Sequence, residues 1–212
     1  MGSVRRWSRA ELASVLVPLA VFLALALEVE LSGTGAFRWE RWPARHLARH
    51  WNDEPVTKAR RVGRRLDRGV GAVAVVVLVA VAVLAVRRPA AVVFLLLSLA
   101  VLALTPLLKE MFGRAPPRPL GNGPSFPSGH AIGTMSVCAA FAVIYWRSRF
   151  RWVVVAVGAI VVLGIGVAVV ADRGHWPSDV VAGWALALAW VMALRVVFWK
   201  RVEVKSRAAH DS

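Results

Sequence analysis

The chain has one cysteine, Cys138, so it has no means of closing an intramolecular disulfide, and that residue reads as a small buried hydrophobe. Internal repeats and low-complexity linkers are absent as well, and 212 residues without either read as a single domain. Acidic residues are scarce, 12 Asp and Glu against 27 Lys and Arg, for a formal net charge of +15. In a water-soluble chain that imbalance would direct attention to nucleic acid. Here 58% of the residues are hydrophobic, and they come in blocks with the cations between them. That arrangement excludes nucleic acid as the simplest partner and favours anionic lipid headgroups. The first apolar block is too long for a signal peptide and lacks a small-residue cleavage site, so it reads as retained.

What is present is a set of long, nearly uncharged apolar runs. Six of them, roughly 12–31, 69–86, 90–108, 131–146, 152–171 and 180–199, have the length and composition of membrane-spanning helices. Their valine content does not argue for strands, because spanning strands must close into a barrel and would be shorter and alternating. Arg195 lies near the end of the last run, where it can snorkel to the interface. The fold class read from these runs is all-α, a polytopic membrane protein of six spans, uninterrupted and without ionisable residues mid-span. Glycines 158, 164 and 166 in the fifth run read as sites of close helix packing.

The short basic segments set the orientation. Arg5, Arg6 and Arg9, then Arg87 and Arg88, then Arg147, Arg149 and Arg151, and finally Lys200, Arg201, Lys205 and Arg207 all fall on one side, which the positive-inside rule makes cytoplasmic. Both termini are then cytoplasmic. The basic segment 33–68 opposes the rule, but long segments count less in it. With Trp39, Trp42 and Trp51 among its arginines, it reads as an interfacial segment lying in the headgroups. His46 and His50 are four apart, which suits either a metal pair or the polar face of a helix; the polar face is preferred. The expected organisation is one domain over 1–212, with a core at 69–199, the interfacial segment at 33–68 and a basic tail at 200–212. The arginine, alanine and valine bias points to a GC-rich bacterial genome, hence a bacterial cell membrane.

Two outward links carry the chemistry. One reads KEMFGRAPPRPLGNGPSFPSGH, from Lys109 to His130; the other reads ADRGHWPSD, from Ala171 to Asp179. They fall on the same side and can meet. Together they offer cations, two histidines, a carboxylate and a serine–glycine pair at a helix start. A phosphate ester spreads charge over its equatorial oxygens as it reacts, so it needs fixed cations and aimed N–H groups. Ser128 suits an N-cap, Gly129 allows close backbone approach, and the first N–H groups of the following helix lack partners within it. Pro177-Ser178 signals another helix start, with Asp179 in its first turn. From there the carboxylate can reach back to one nitrogen of His175, fixing the tautomer and leaving the other nitrogen as nucleophile. His130 is then placed to protonate a leaving oxygen.

These motifs resemble the type 2 phosphatidic acid phosphatase family, the membrane relatives of vanadium haloperoxidases. Pro127-Ser128-Gly129-His130 matches the family's second motif throughout, and His175-Trp176-Pro177-Ser178-Asp179 matches the end of its third. The resemblance runs from about residue 69 to 199. It implies His175 as nucleophile, Asp179 as its orienting acid, His130 as general acid, and Lys109, Ser128 and Gly129 as phosphate binders. It also implies action on lipid phosphates and diphosphates without a metal ion or other cofactor.

The chain departs from the family pattern twice. The first-motif arginine should lie seven residues after the lysine, where Pro116 stands; Arg118, which keeps an Arg-Pro pair, is preferred to Arg114 as its replacement. The third-motif Ser-Arg positions hold Ala168 and Val169. Arg173, one helical turn after Val169, shares its face if the helix continues, and could reach the same phosphate. The expected function is hydrolysis of a polyprenyl phosphate or diphosphate, phosphatidic acid or phosphatidylglycerol phosphate through a phosphohistidine. Phosphoryl or headgroup transfer from the same site, and non-catalytic binding of a lipid phosphate given the missing arginine, stand as alternatives. Neither the lipid nor the oligomeric state is encoded legibly.

Overall fold

The computed structural model describes residues 7–32, 35, 37–50, 89–118 and 123–208. The expected second span, 69–86, lies outside them, as do Trp51 and the rest of the segment up to 88. All regular structure among the described residues is helical. Helix α1 runs Arg9–Ser32, α2 Arg41–His50, α3 Pro89–Leu99, α4 Thr105–Phe112, α5 Gly129–Ile144, α6 Arg151–Ala171 and α7 Pro177–Ala208.

The sequence explains where these helices start and stop. Ser8 and Glu11 form a reciprocal capping box that opens α1: the Ser8 N–H donates to Glu11 Oε2 (2.8 Å) and the Glu11 N–H to Ser8 Oγ (3.1 Å). The expectation of uninterrupted spans needs correcting at the third. There α3 and α4 are joined by a 3₁₀ turn, Ala100–Leu104. Pro106 is the physical reason: it has no N–H, and its ring crowds the carbonyl four residues earlier, so the chain tightens before it. Gly113 ends α4 in the left-handed conformation, with its N–H on the Lys109 carbonyl.

Four segments among the described residues are long and apolar enough to cross a bilayer: Arg9–Ser32, Ala90–Phe112, Arg151–Ala171 and Pro177–Phe198. Leu16, Val17, Leu23 and Leu27 of α1 and Val153, Val157, Ile160 and Leu163 of α6 stay exposed, as a lipid-facing surface requires. Helix α5 differs. It has 16 residues, about 24 Å of helix against a hydrocarbon core of about 30 Å. Most of its residues are buried, packed by α3, α6 and α7. An apolar helix buried on nearly all sides belongs at the centre of a bundle. Residues 125–128, the irregular backbone immediately before it, are buried in protein, a setting in which non-helical backbone is tolerated in a membrane protein.

Glycine governs how closely the helices pack. A Cβ on Gly158 would sit 3.2 Å from that of Cys138, and one on Gly166 would collide with the Trp184 ring, whereas Gly164 faces nothing within 4 Å. The closest approach to neighbouring backbone is at Gly183 of α7, which lies against the start of α5. A Cβ there would be 2.8 Å from the Ser128 carbonyl oxygen and 2.9 Å from the Ala131 Cβ. Helix α1 closes the other side of α7, and Phe22, Ala26 and Val29 pack with Phe37, Phe126, Ala182 and Ala185. Phe126 is fully buried, stacked on Phe22 and edge-on to Phe112, and so anchors the PSFPSGH loop in the bundle. Helix α2 lays Ala44 and Leu47 against Val170 and Val180 beside the site, while Trp39 and Trp42 remain exposed and His46 stacks on Trp42.

Candidate active site

The two chemistry-bearing links meet and are tied together along their length. The Ser125 N–H donates to the Arg114 carbonyl (2.7 Å), bracing the first link on itself. Between the links, the Arg118 N–H donates to the Arg173 carbonyl (3.1 Å) and the Ser128 N–H to the Asp179 carbonyl (3.1 Å). Trp176 Nε1 donates to the Ala115 carbonyl (2.9 Å).

Ser128 caps α5 as its residue type suggests. It has extended backbone, and its Oγ accepts from the Ala131 N–H. It is fully buried, whereas His130, two residues on, is exposed. Asp179 is the third residue of α7 and is also fully buried; its Oδ2 accepts from the Trp176 N–H (2.8 Å), the carboxylate half of a capping box.

The two histidine rings come together from the two links, with centroids 6.2 Å apart and planes at 68°. The orientation of His175 differs from the sequence expectation. Its Nδ1 lies 2.9 Å from the Ser125 carbonyl oxygen and 3.7 Å from Asp179 Oδ2, beyond hydrogen-bond range. A carbonyl can only accept, so Nδ1 carries the proton and Nε2 the lone pair. The tautomer is the expected one, but a backbone carbonyl sets it. Asp179 is near enough to pair with His175 once the ring is charged.

The arginines separate into two kinds. Arg114 is completely buried, and both of its terminal nitrogens are engaged, while its Nε has no hydrogen-bond partner. Nη1 donates to Asp179 Oδ1 and Ser178 Oγ, each at 2.6 Å; Nη2 donates to the Glu40 carboxylate and, at 3.2 Å, to the Gly35 carbonyl. The Phe37 ring covers the guanidinium, its centroid 4.5 Å from Cζ. Arg114, weighed from sequence as a phosphate ligand, is instead the cation at the centre of a sealed carboxylate cluster. Arg118 and Arg173 are exposed at the junction of the two links. The argument that Arg173 shares a face with Val169 fails, because α6 ends at Ala171 and Arg173 is left-handed (φ 60°). The Gly174 and His175 N–H groups both turn back onto the Val169 carbonyl. Lys109, in the last turn of α4, is half-buried.

Sequence reasoning missed Glu40, Ser178 and the Ser125 carbonyl. Glu40 had a visible signal, as the only acid in the basic stretch 33–50. Ser178 Oγ donates to Glu40 Oε2 (2.5 Å) while accepting from Arg114, so it links the two. Among the described residues, no group of three or more His, Cys, Asp or Glu is placed to hold a metal ion.

Known proteins resemble this chain to different extents. Two lipid A 1-phosphatases, from Rhizobium johnstonii and Rhizobium etli, are 33% and 32% identical over 87 residues, 41% of this chain. The aligned stretch spans only about a third of each relative's length, 33% and 34%. The crystal structure of a transmembrane PAP2-type phosphatidylglycerolphosphate phosphatase from Bacillus subtilis superposes with a TM-score of 0.68. That match covers 90% of this chain and 98% of the other at 18% identity, a likeness of fold. The family model of the PAP2 superfamily matches residues 90–203, which hold both links and the helices that carry them. With more than half of its length inside that match, the chain belongs to the PAP2 superfamily.

Proposed function

We propose that the chain is a six-span membrane phosphatase of a bacterial cell membrane, acting on a lipid phosphate or diphosphate at the extracytoplasmic face. In this reading residues 69–86 supply the second span, both termini are cytoplasmic, and anionic lipids surround the basic segments. The observation that carries it is the histidine pair: His175 held with its lone pair on Nε2 and His130 exposed beside it.

That geometry supports the following reaction. His175 Nε2 attacks phosphorus, forming a P–N bond as the P–O bond to the lipid breaks. His130 gives its proton to the departing oxygen. Asp179, 3.7 Å from Nδ1, balances the positive charge that develops on the His175 ring. Water then attacks phosphorus, the P–N bond breaks, and His130 takes a proton from that water. The amide groups at the start of α5, including those of Gly129 and His130, face the phosphate oxygens. Lys109, Arg118 and Arg173 supply the surrounding charge. Arg173 serves in place of the absent third-motif arginine, acting from the loop rather than from a helix face. Metal is not required, since each step uses groups of the chain.

The test is phosphate release in detergent with EDTA, using phosphatidic acid, phosphatidylglycerol phosphate, a polyprenyl diphosphate and lipid A. Two of the relatives are named for the last of these. Release by the parent and none by His175→Ala is the expected result. Abolition by EDTA would remove the metal-independent mechanism, and label appearing on an added alcohol instead of in free phosphate would make the protein a transferase.

A further inference from the structure

Glu40 lies outside the stretch matched by the family model and outside both motif-bearing links, yet it is completely buried against them. It precedes the basic helix α2, in a stretch otherwise exposed at Arg38, Trp39, Arg41 and Trp42. Apart from one local contact, its polar partners are Arg114 and Ser178 of the two links. Oε1 accepts from the Phe37 N–H (2.8 Å) and from Arg114 Nη2. Oε2 accepts from Ser178 Oγ (2.5 Å) and the Ser178 N–H (3.3 Å). A buried carboxylate is costly unless fully paired, so a structural anchor for this segment could have been apolar at far lower cost.

From this cluster we infer that Glu40 is a positioning residue for the phosphoryl transfer proposed above, on which the inference rests. Arg114 faces two carboxylates, Glu40 on Nη2 and Asp179 on Nη1. The three charges sum to one negative, and that surplus belongs beside His175. Glu40 draws part of the guanidinium's charge to itself. Asp179 therefore keeps Oδ2 turned toward Trp176 N–H and the His175 ring rather than closing a two-toothed pair with Arg114. Without the Glu40 charge the cluster is neutral, Arg114 pulls wholly onto Asp179, and the carboxylate no longer balances the charge formed on His175 during attack.

The charge argument predicts a pattern that a scaffold role does not. In Glu40→Gln the surplus disappears. In the double variant Glu40→Gln with Arg114→Gln it returns, because both partners of one pair are neutralised and Asp179 keeps its charge. The experiment is a rapid-quench burst measurement with ³²P-labelled phosphatidic acid in excess over enzyme, following the first turnover of the full chain in detergent. The rate constant reports how well the site works, and the amplitude reports how much protein is correctly folded. Glu40→Gln should lower the rate constant roughly 10- to 100-fold at unchanged amplitude. Glu40→Asp should recover part of the loss, and the double variant should be faster than Glu40→Gln alone.

An unchanged rate constant in Glu40→Gln overturns the inference. So does a loss confined to amplitude, or a double variant as slow as the single one. If Glu40→Gln does not fold, the double variant still decides: a rate constant within a few-fold of the parent supports the charge argument, and one as slow as His175→Ala overturns it. A parent that transfers no phosphate overturns the phosphatase reading and this inference together, whereas a working parent beside an unimpaired Glu40→Gln overturns the inference alone.

Discussion

Two cationic regions lie within the same pair of links, and they are built in opposite ways. Arg114 is sealed under Phe37, with a carboxylate on each terminal nitrogen. Arg118 and Arg173 stand exposed where the links join, held to each other only through backbone. All three are arginines within nine residues of Lys109 or two of His175, and residue type does not distinguish them. A cation that binds substrate must keep donors available and lie within reach of solvent. A cation that shapes a site must have its charge paired, because an unpaired buried guanidinium is costly. The surroundings of each arginine, more than its motif position, therefore set its role.

The sharpest way to break the contrast is to remove the sealed cation alone. Arg114→Ala leaves Glu40 and Asp179 buried with like charge and no partner between them. A loss of about 3–5 kcal/mol is expected, enough to abolish a monodisperse folded peak in detergent. A thermal melt within a few degrees of the parent would mean that the cluster is not structural.

Next in size is the contact that brings the two histidine-bearing helix starts together. Gly183→Ala places a methyl against the Ser128 carbonyl and the Ala131 Cβ, pushing α7 away from α5. The helix content should survive, because alanine is the better helix former. Turnover should fall by about two orders of magnitude, since displacements near 1 Å carry that cost. Circular dichroism beside the phosphate-release rate checks both halves; parent-like turnover would show that α7 has room to shift without parting the histidines.

The smallest effect is expected at the rim. Arg173 holds a left-handed backbone that costs a non-glycine residue about 1 kcal/mol. Arg173→Gly should leave the melting temperature unchanged or slightly raised while slowing turnover several-fold, and parent activity should fall with added salt because exposed charges are screened. A variant as fast as the parent and equally salt-sensitive would remove Arg173 from the phosphate site.

Much of this was legible beforehand because it follows from local chemistry. Hydrophobic blocks specify helices whatever their partners, and Ser128, Pro177 and Asp179 mark helix starts by the groups they offer to nearby N–H donors. Pro106 was equally legible as a break, since its effect on the preceding turn is local, but the length of the apolar run concealed it. Glu40 was visible only as a lone acid among cations, and nothing nearby in sequence says that its partners are Arg114 and Ser178.

By itself, then, the sequence pointed to a helical membrane protein, to two links rich in candidate chemistry, and to the histidines and carboxylate that the proposed reaction uses. Those follow from composition, periodicity and spacing, which act over a few turns of chain. Only the tertiary structure decided that Ser125 rather than Asp179 holds His175, that Arg114 is sealed while Arg118 and Arg173 are exposed, and that Glu40 joins the site. Each of those depends on burial and on partners up to 138 residues apart, as between Glu40 and Ser178, and the local pattern of a chain does not contain such distances.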